Sequence, residues 1–259
     1  GGTGVRLIET DASTTTHLNG ATTTTATVTN AGTLNANSAT SFLVDTVGNT
    51  GTLTVKGATI AGDNGSAVQT ITNTGTLNLK GEATVTATAT ILGAGTINVI
   101  DGSGGAAIVN TISGAIGASG TNVTAINVGG DDSSNTDAGR VVFSGAVFAD
   151  AVTITSGEDS SEQSTATFVG AVTAPVTLAT ATGGDAQAIF AAGSGATSVV
   201  TGAIDGAGDV LVEGGSVSTT TFNSNLGTST TLKEFHIGDA DIADINLNLT
   251  ATNITFDDA

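Results

Sequence analysis

The chain has no cysteine, methionine, tryptophan or tyrosine, and a single proline in 259 residues. Without cysteine there is no disulfide framework and no thiolate metal site. Cationic residues are almost as scarce: Arg6, Lys56, Lys80, Arg140 and Lys233 stand against 23 carboxylates, for a net charge of −18. Nucleic acid is excluded as a partner because phosphate binding needs a basic stripe. An anionic membrane surface is disfavoured for the same reason, whereas divalent cations are favoured. No run approaches the 18 or so apolar residues of a membrane span. There is no initiator methionine and no signal segment. The Gly1 start is read as a processed export product or an excised fragment.

What is abundant is Gly, Thr and short aliphatic side chains, with only 11% of residues charged. The chain also repeats a phrase. Val28-Thr-Asn-Ala-Gly-Thr-Leu-Asn-Ala is followed by Val47-Gly-Asn-Thr-Gly-Thr-Leu-Thr-Val, then Ile71-Thr-Asn-Thr-Gly-Thr-Leu-Asn-Leu, then Leu92-Gly-Ala-Gly-Thr-Ile-Asn-Val. The Gly-Thr-Leu/Ile cores begin at Gly32, Gly51, Gly75 and Gly95, in steps of 19, 24 and 20 residues. A period of this size marks a solenoid or array. Each unit reads as a turn and a short alternating strand, with Thr or Asn on one side and an aliphatic residue on the other. One such unit cannot bury its apolar face, but stacked copies can. Helical periodicity is missing throughout. Pro175 marks a turn or an edge, since it cannot donate to a strand ladder.

Near residue 140 the phrase changes. Arg140-Val-Val-Phe-Ser-Gly-Ala-Val is echoed by Thr165-Ala-Thr-Phe-Val-Gly-Ala-Val, and looser copies place Phe190 and Phe222 in the same role. Phe143, Phe168, Phe190 and Phe222 are spaced 25, 22 and 32 apart. The expectation is one Phe per coil, stacked inside a solenoid; independent core residues of a sandwich are the alternative. The expected fold is all-β, a β-solenoid, with tandem β-sandwich subdomains as the second possibility. Three regions follow: an irregular segment 1–20, a Gly-Thr-Leu region 21–130, and a Phe region 131–259, the last two forming either separate subdomains or one solenoid. Leu53, Leu77, Ile97 and the four Phe residues are the expected core.

The later part of the chain carries a resemblance. Thr220-Thr-Phe-Asn-Ser-Asn-Leu-Gly, Leu232-Lys-Glu-Phe-His-Ile-Gly and Leu247-Asn-Leu-Thr-Ala-Thr-Asn-Ile-Thr-Phe, with the Asn-Thr-Gly-Thr-Leu phrase, resemble passenger segments of bacterial surface autotransporters. The likeness is greatest to the rickettsial outer-membrane S-layer proteins. It implies a right-handed parallel β-helix displayed on the cell surface. The translocating barrel of a complete autotransporter is not visible here.

Site chemistry is sparse. Calcium is the expected cofactor, because a glycine-rich acidic loop offers the six to eight oxygens it takes. The candidate ligands are Asp131, Asp132, Asn135 and Asp137 in one loop, and Asp239 and Asp241, with Asp244 near, in another. The bland alternative is a pair of solvated acidic turns. Asp239 and Asp241 are expected on one strand face, where two carboxylates repel unless a cation separates them. No catalytic residue is assigned. His17 and His236 are far apart, no Gly-x-Ser-x-Gly element exists, and no Gly-Lys-Ser/Thr follows a glycine-rich run. His236 is expected to face solvent or an interface. Three functions are weighed: a self-assembling extracellular subunit of a bacterial surface layer or filament, whose partner is another copy; an adhesin passenger that binds a cell-surface glycan or receptor through an aromatic patch at Phe148 or Phe235; and, last, a polysaccharide-active enzyme. Such an enzyme needs paired carboxylates in a cleft, and sugar-binding aromatics are missing. The chain is thus expected to be non-enzymatic.

Overall fold

A computed structural model describes residues 7–19, 23–36, 42–57, 59–61, 70–81, 84–85, 90–100, 109–130, 138–157, 163–180, 184–239 and 241–257. Among them every regular element is a β-strand, and every strand pair is parallel. Three sheets of 14, nine and five strands wrap one core, each strand pairing with its counterpart a coil away. The fold is a parallel β-solenoid. Tandem sandwiches are set aside, since they are built from antiparallel pairs.

The repeated phrase accounts for one corner of each coil. Leu34, Leu53, Leu77, Ile97, Ile126, Val152, Val176 and Ile204 lie in one register column of the nine-stranded sheet. All are at most 1% exposed. The preceding Thr residues turn outward, and each Thr N–H binds the glycine carbonyl one coil back: Thr52 to Gly32 at 2.8 Å, Thr76 to Gly51 at 2.8 Å, Thr96 to Gly75 at 2.9 Å. Glycine is required at this step. A Cβ on Gly75 would run into the carbonyl oxygen of Gly51.

The asparagine of the phrase does something its turn position does not announce. Asn30, Asn49 and Asn73 are buried and stacked in register. Asn30 Nδ2 donates to Asn49 Oδ1 at 2.7 Å, and Asn49 Nδ2 donates to Asn73 Oδ1 at 2.7 Å. Each amide also donates to a Thr carbonyl one coil on, at 2.9 Å for Thr52, 2.9 Å for Thr76 and 3.1 Å for Thr96. The Thr10 hydroxyl caps the near end by donating to Asn30 Oδ1. At the far end Gly93 follows Asn73 in register at φ 102°, where any Cβ would meet the Asn73 carbonyl. Buried polar groups persist only when paired, and this ladder pairs them through identity of neighbours.

A second inward column runs through the molecule: Ile8, Val28, Val47, Ile71, Ile91, Ile116, Val147, Val172, Val200, Phe222 and Ile245. It begins inside the segment expected to be irregular. Leu7–Thr10 and Thr15–Leu18 are strands paired to Thr23–Asn30 and Thr33–Ala36. The expectation for 1–20 gives way there because Ile8 and Thr10 alternate inward against Leu7 and Glu9. The sheets also run on across the change of phrase near 140. Asn110–Ile112 pairs with Arg140–Phe143, and Ala125–Val128 pairs with Val152–Thr155.

The aromatic ladder exists but is not one column. Phe143, Phe168 and Phe190 share a register position and stack at 5.3 and 5.4 Å between ring centroids. The next residue in that column is Val212. Phe222 fills the space from the five-stranded sheet, edge-on to Phe190 at 5.2 Å, and Phe235 then packs edge-on to Phe222 at 5.9 Å. The switch conserves volume. Ala166 and Ala188 lie beside Phe168 and Phe190, and their column enlarges to Val210 and Phe235 where the first column shrinks. A close-packed interior demands such compensation.

Candidate functional site

Asp131, Asp132, Asn135 and Asp137 lie outside the described residues. Asp239 and Asp241 both precede the strand Ile242–Ile245, so they do not share a strand face as expected. Asp239 is exposed in a turn. Asp241 Oδ2 accepts the Gly214 N–H at 2.7 Å and its Oδ1 accepts the Ser218 hydroxyl at 2.6 Å. Its carboxylate fastens the turn of the preceding coil. Asp244 lies on the strand and is exposed. Among the described residues no three His, Cys, Asp or Glu side chains converge as a metal site would need.

Among the described residues a charged cluster lies elsewhere, on the outward side of the large sheet. Lys233 Nζ is 2.5 Å from Asp185 Oδ1 and 3.7 Å from Asp209 Oδ2. Asp209 is 5% exposed, and its Oδ1 is buried with no hydrogen-bond partner. Gln187 Nε2 donates to its other oxygen at 3.5 Å. Burial pushes the Asp209 pKa up, and the carboxylates of Asp185 and Glu234 add to this, against Lys233 and Gln187, which lower it. The hydrogen bond from Lys233 to Asp185 holds the lysine pKa above its ordinary value. The same face carries His236. Its Nδ1 lies 2.9 Å from Thr255 Oγ1, whose hydroxyl donates to Glu234 at 2.5 Å, and its Nε2 lies 3.4 Å from Asp257. His236 is thus half-buried among partners rather than facing open solvent. His17 is on a different sheet, exposed, 3.5 Å from Asn35 Nδ2. The cluster ties three coils together.

Of the two aromatics expected to offer an adhesive patch, Phe235 is 0% exposed and belongs to the core. Alternation with Glu234 and His236 turns it inward. Phe148 is half-buried. Of the exposed large hydrophobic side chains among the described residues, four lie on the last two strands and the turn between them, whereas Leu7, Val109, Val199 and Val217 lie elsewhere. Ile242, Leu247, Ile254 and Phe256 are 48, 55, 51 and 68% exposed. Phe256 continues the column of Phe143, Phe168 and Phe190, and Ile254 continues that of Phe235. The outer edge of their strand, Ala251–Phe256, is unpaired among the described residues.

A depression of about 320 Å³ opens on the outward side of the nine-stranded sheet, lined largely by hydroxyl and amide groups, among them Thr76, Thr96, Asn98, Asn127 and Thr155. No helix among the described residues is long and apolar enough to cross a membrane. Compared with known proteins, the chain matches no family model, no curated protein and no solved structure.

Proposed function

We propose that the protein is an extracellular structural subunit that assembles with copies of itself into a bacterial surface layer or filament, with divalent cations assisting the contacts. The observation that carries this reading is the stacking of one coil on the next through parallel strand ladders along a single axis, with Ile254 and Phe256 among the exposed apolar side chains. Each coil needs only a like neighbour, and a head-to-tail contact between identical copies propagates into a filament or lattice rather than closing. The role of cations rests on the net charge of −18, which opposes any approach of two copies.

The test is negative-stain electron microscopy of purified protein in millimolar calcium and in excess chelator. Ordered filaments or sheets that dissolve on chelation are expected. Assemblies that persist in chelator would discard the cation role and keep the structural one. Separate rods in both conditions would overturn self-assembly. Phe256→Asp should leave the fold intact, because the side chain is 68% exposed, and abolish end-to-end growth.

A further inference from the structure

Among the described strands, carboxylates are distributed unevenly between the sheets. The strands of the nine-stranded sheet point two columns of side chains outward. One column holds Thr15, Thr33, Thr52, Thr76 and Thr96, and continues as Ala125. The other runs His17, Asn35, Thr54, Asn78, Asn98, Asn127, Thr153 and Thr177. Its amides bond along the axis: Asn98 Nδ2 to Asn78 Oδ1 at 2.9 Å, and Asn127 Nδ2 to Asn98 Oδ1 at 2.9 Å. In a chain with 23 carboxylates, none falls on the first eight of the nine strands; Asp205, on the ninth, is the first. The other sheets differ. Glu9 and Glu234 point outward from the large sheet and Asp244 from the five-stranded one. Two of the five cationic residues, Lys56 and Lys80, stand in register at the margin of the uncharged face.

We infer that this face is a lateral contact surface between two copies of the chain, an inference that rests on the self-assembly reading and gives it a second direction. Three physical arguments select the occupant. Two bodies that each carry −18 approach at lower cost through strands that bear no carboxylate than through strands that bear them. Hydroxyls and primary amides are both donors and acceptors, so the face is its own chemical complement across a two-fold axis. The columns keep one register over successive strands, so rows of like groups on one copy can meet rows of like groups on the other. Eight strands at about 4.8 Å, each about 13 Å long, offer on the order of 500 Å² per copy. Both copies together bury about 1,000 Å², the lower limit for a specific contact. Such a contact holds weakly alone and firmly when repeated along a filament.

The absence of cysteine makes the test direct. Thr54→Cys places a thiol on this face and Thr165→Cys places one on the outward side of the large sheet. Under mild oxidation in assembly conditions, intermolecular disulfides at position 54 should form about tenfold faster than at position 165, through the raised local concentration of a docked pair. Equal rates would overturn the inference. A second variant, Thr33→Asp with Thr177→Asp, puts carboxylates on the face at half-exposed and exposed positions. It should fold normally by circular dichroism and convert side-by-side bundles or sheets into single filaments. Side-by-side association unchanged in that variant would overturn the inference while leaving end-to-end assembly standing. Wild-type protein that forms only single filaments would do the same. Wild-type protein that forms no assembly of any kind would overturn both readings.

Discussion

The coils that carry the Gly-Thr-Leu phrase and those that carry phenylalanine share one backbone path but hold it by different means. In the early coils the interior is aliphatic, and a corner is locked by the buried amides of Asn30, Asn49 and Asn73. In the later coils the amides paired at that corner among the described residues, Asn223 with Asn246 and Asn225 with Asn248, make exposed hydrogen bonds, and Phe143, Phe168, Phe190, Phe222 and Phe235 fill the interior, each ring 5.2 to 5.9 Å from the next. The amide ladder demands identity. Every member needs the same residue, at the same register, one coil away, or a buried donor is orphaned. The aromatic ladder demands only volume, so a ring can move between sheets, as Phe222 does. A polar ladder thus makes for strict sequence repetition, and an apolar one tolerates drift. The step of 32 residues from Phe190 to Phe222, against 22 to the in-register Val212, is the sequence record of that move.

The largest expected effect breaks the apolar side. Phe168 is 0% exposed and stacked on both sides. Phe168→Ala should cost about 3–5 kcal/mol, because the rings above and below cannot collapse into the gap. Urea unfolding with circular dichroism measures it, and a loss well under about 1 kcal/mol would remove Phe168 from the core. Next comes the polar side. Asn49→Ala leaves Asn30 Nδ2 with only its bond to the Thr52 carbonyl and takes the amide donor from Asn73 Oδ1 and from the carbonyl of Thr76. Buried unpaired groups cost about 1–3 kcal/mol each and are not additive, so a loss of about 2–4 kcal/mol is expected. The comparison sharpens in a double-mutant cycle. Asn30→Ala with Asn49→Ala should cost clearly less than the two singles together, since the first break already spoils the ladder. Strict additivity would mean that the amides act independently.

A smaller effect probes the step that the early coils share. Gly75→Ala must move the carbonyl of Gly51, which accepts the Thr76 N–H. Overpacking of this kind costs about 1–3 kcal/mol. A neutral substitution would show that the coil spacing is slack at this corner.

Much of this was legible in the chain. The alternation of Thr or Asn with Leu or Ile gave the strand, its inward face and its stacking, and Leu53, Leu77 and Ile97 are buried as expected. The echo of Val-Val-Phe by Ala-Thr-Phe placed Phe143 and Phe168 together. The amide ladder hides in the sequence because asparagine two residues before glycine reads as a turn residue, and its one signal is recurrence at the same place in three phrases. Phe235 reads as a surface residue because its neighbours Lys233, Glu234 and His236 are polar, although strict alternation puts it inward. The cluster at Asp209 could not be read locally. Asp185, Asp209 and Lys233 meet only because each coil returns the chain to the same place.

That cluster supplies the smallest effect and the least obvious sign. Burial raises the pKa of Asp209, so the folded protein binds this proton more tightly than the unfolded chain does. The group is therefore least costly below the ordinary carboxylate range, and its contribution to stability is lost as pH rises through the raised value. Lys233 opposes the cost weakly, being 48% exposed and 3.7 Å away. Asp209→Asn removes the charge, keeps the size, and gives Lys233 to Asp185 alone. At neutral pH the variant should be as stable as the wild type or more so, by up to about 1 kcal/mol. The gain should vanish as pH falls below the wild-type pKa. Urea midpoints of both proteins across mildly acidic to neutral pH decide it. A variant less stable than the wild type at neutral pH would mean that the ion pair outweighs burial. Asp209 would then be a clamp across the Phe coils, matching in function the amide ladder of the early ones.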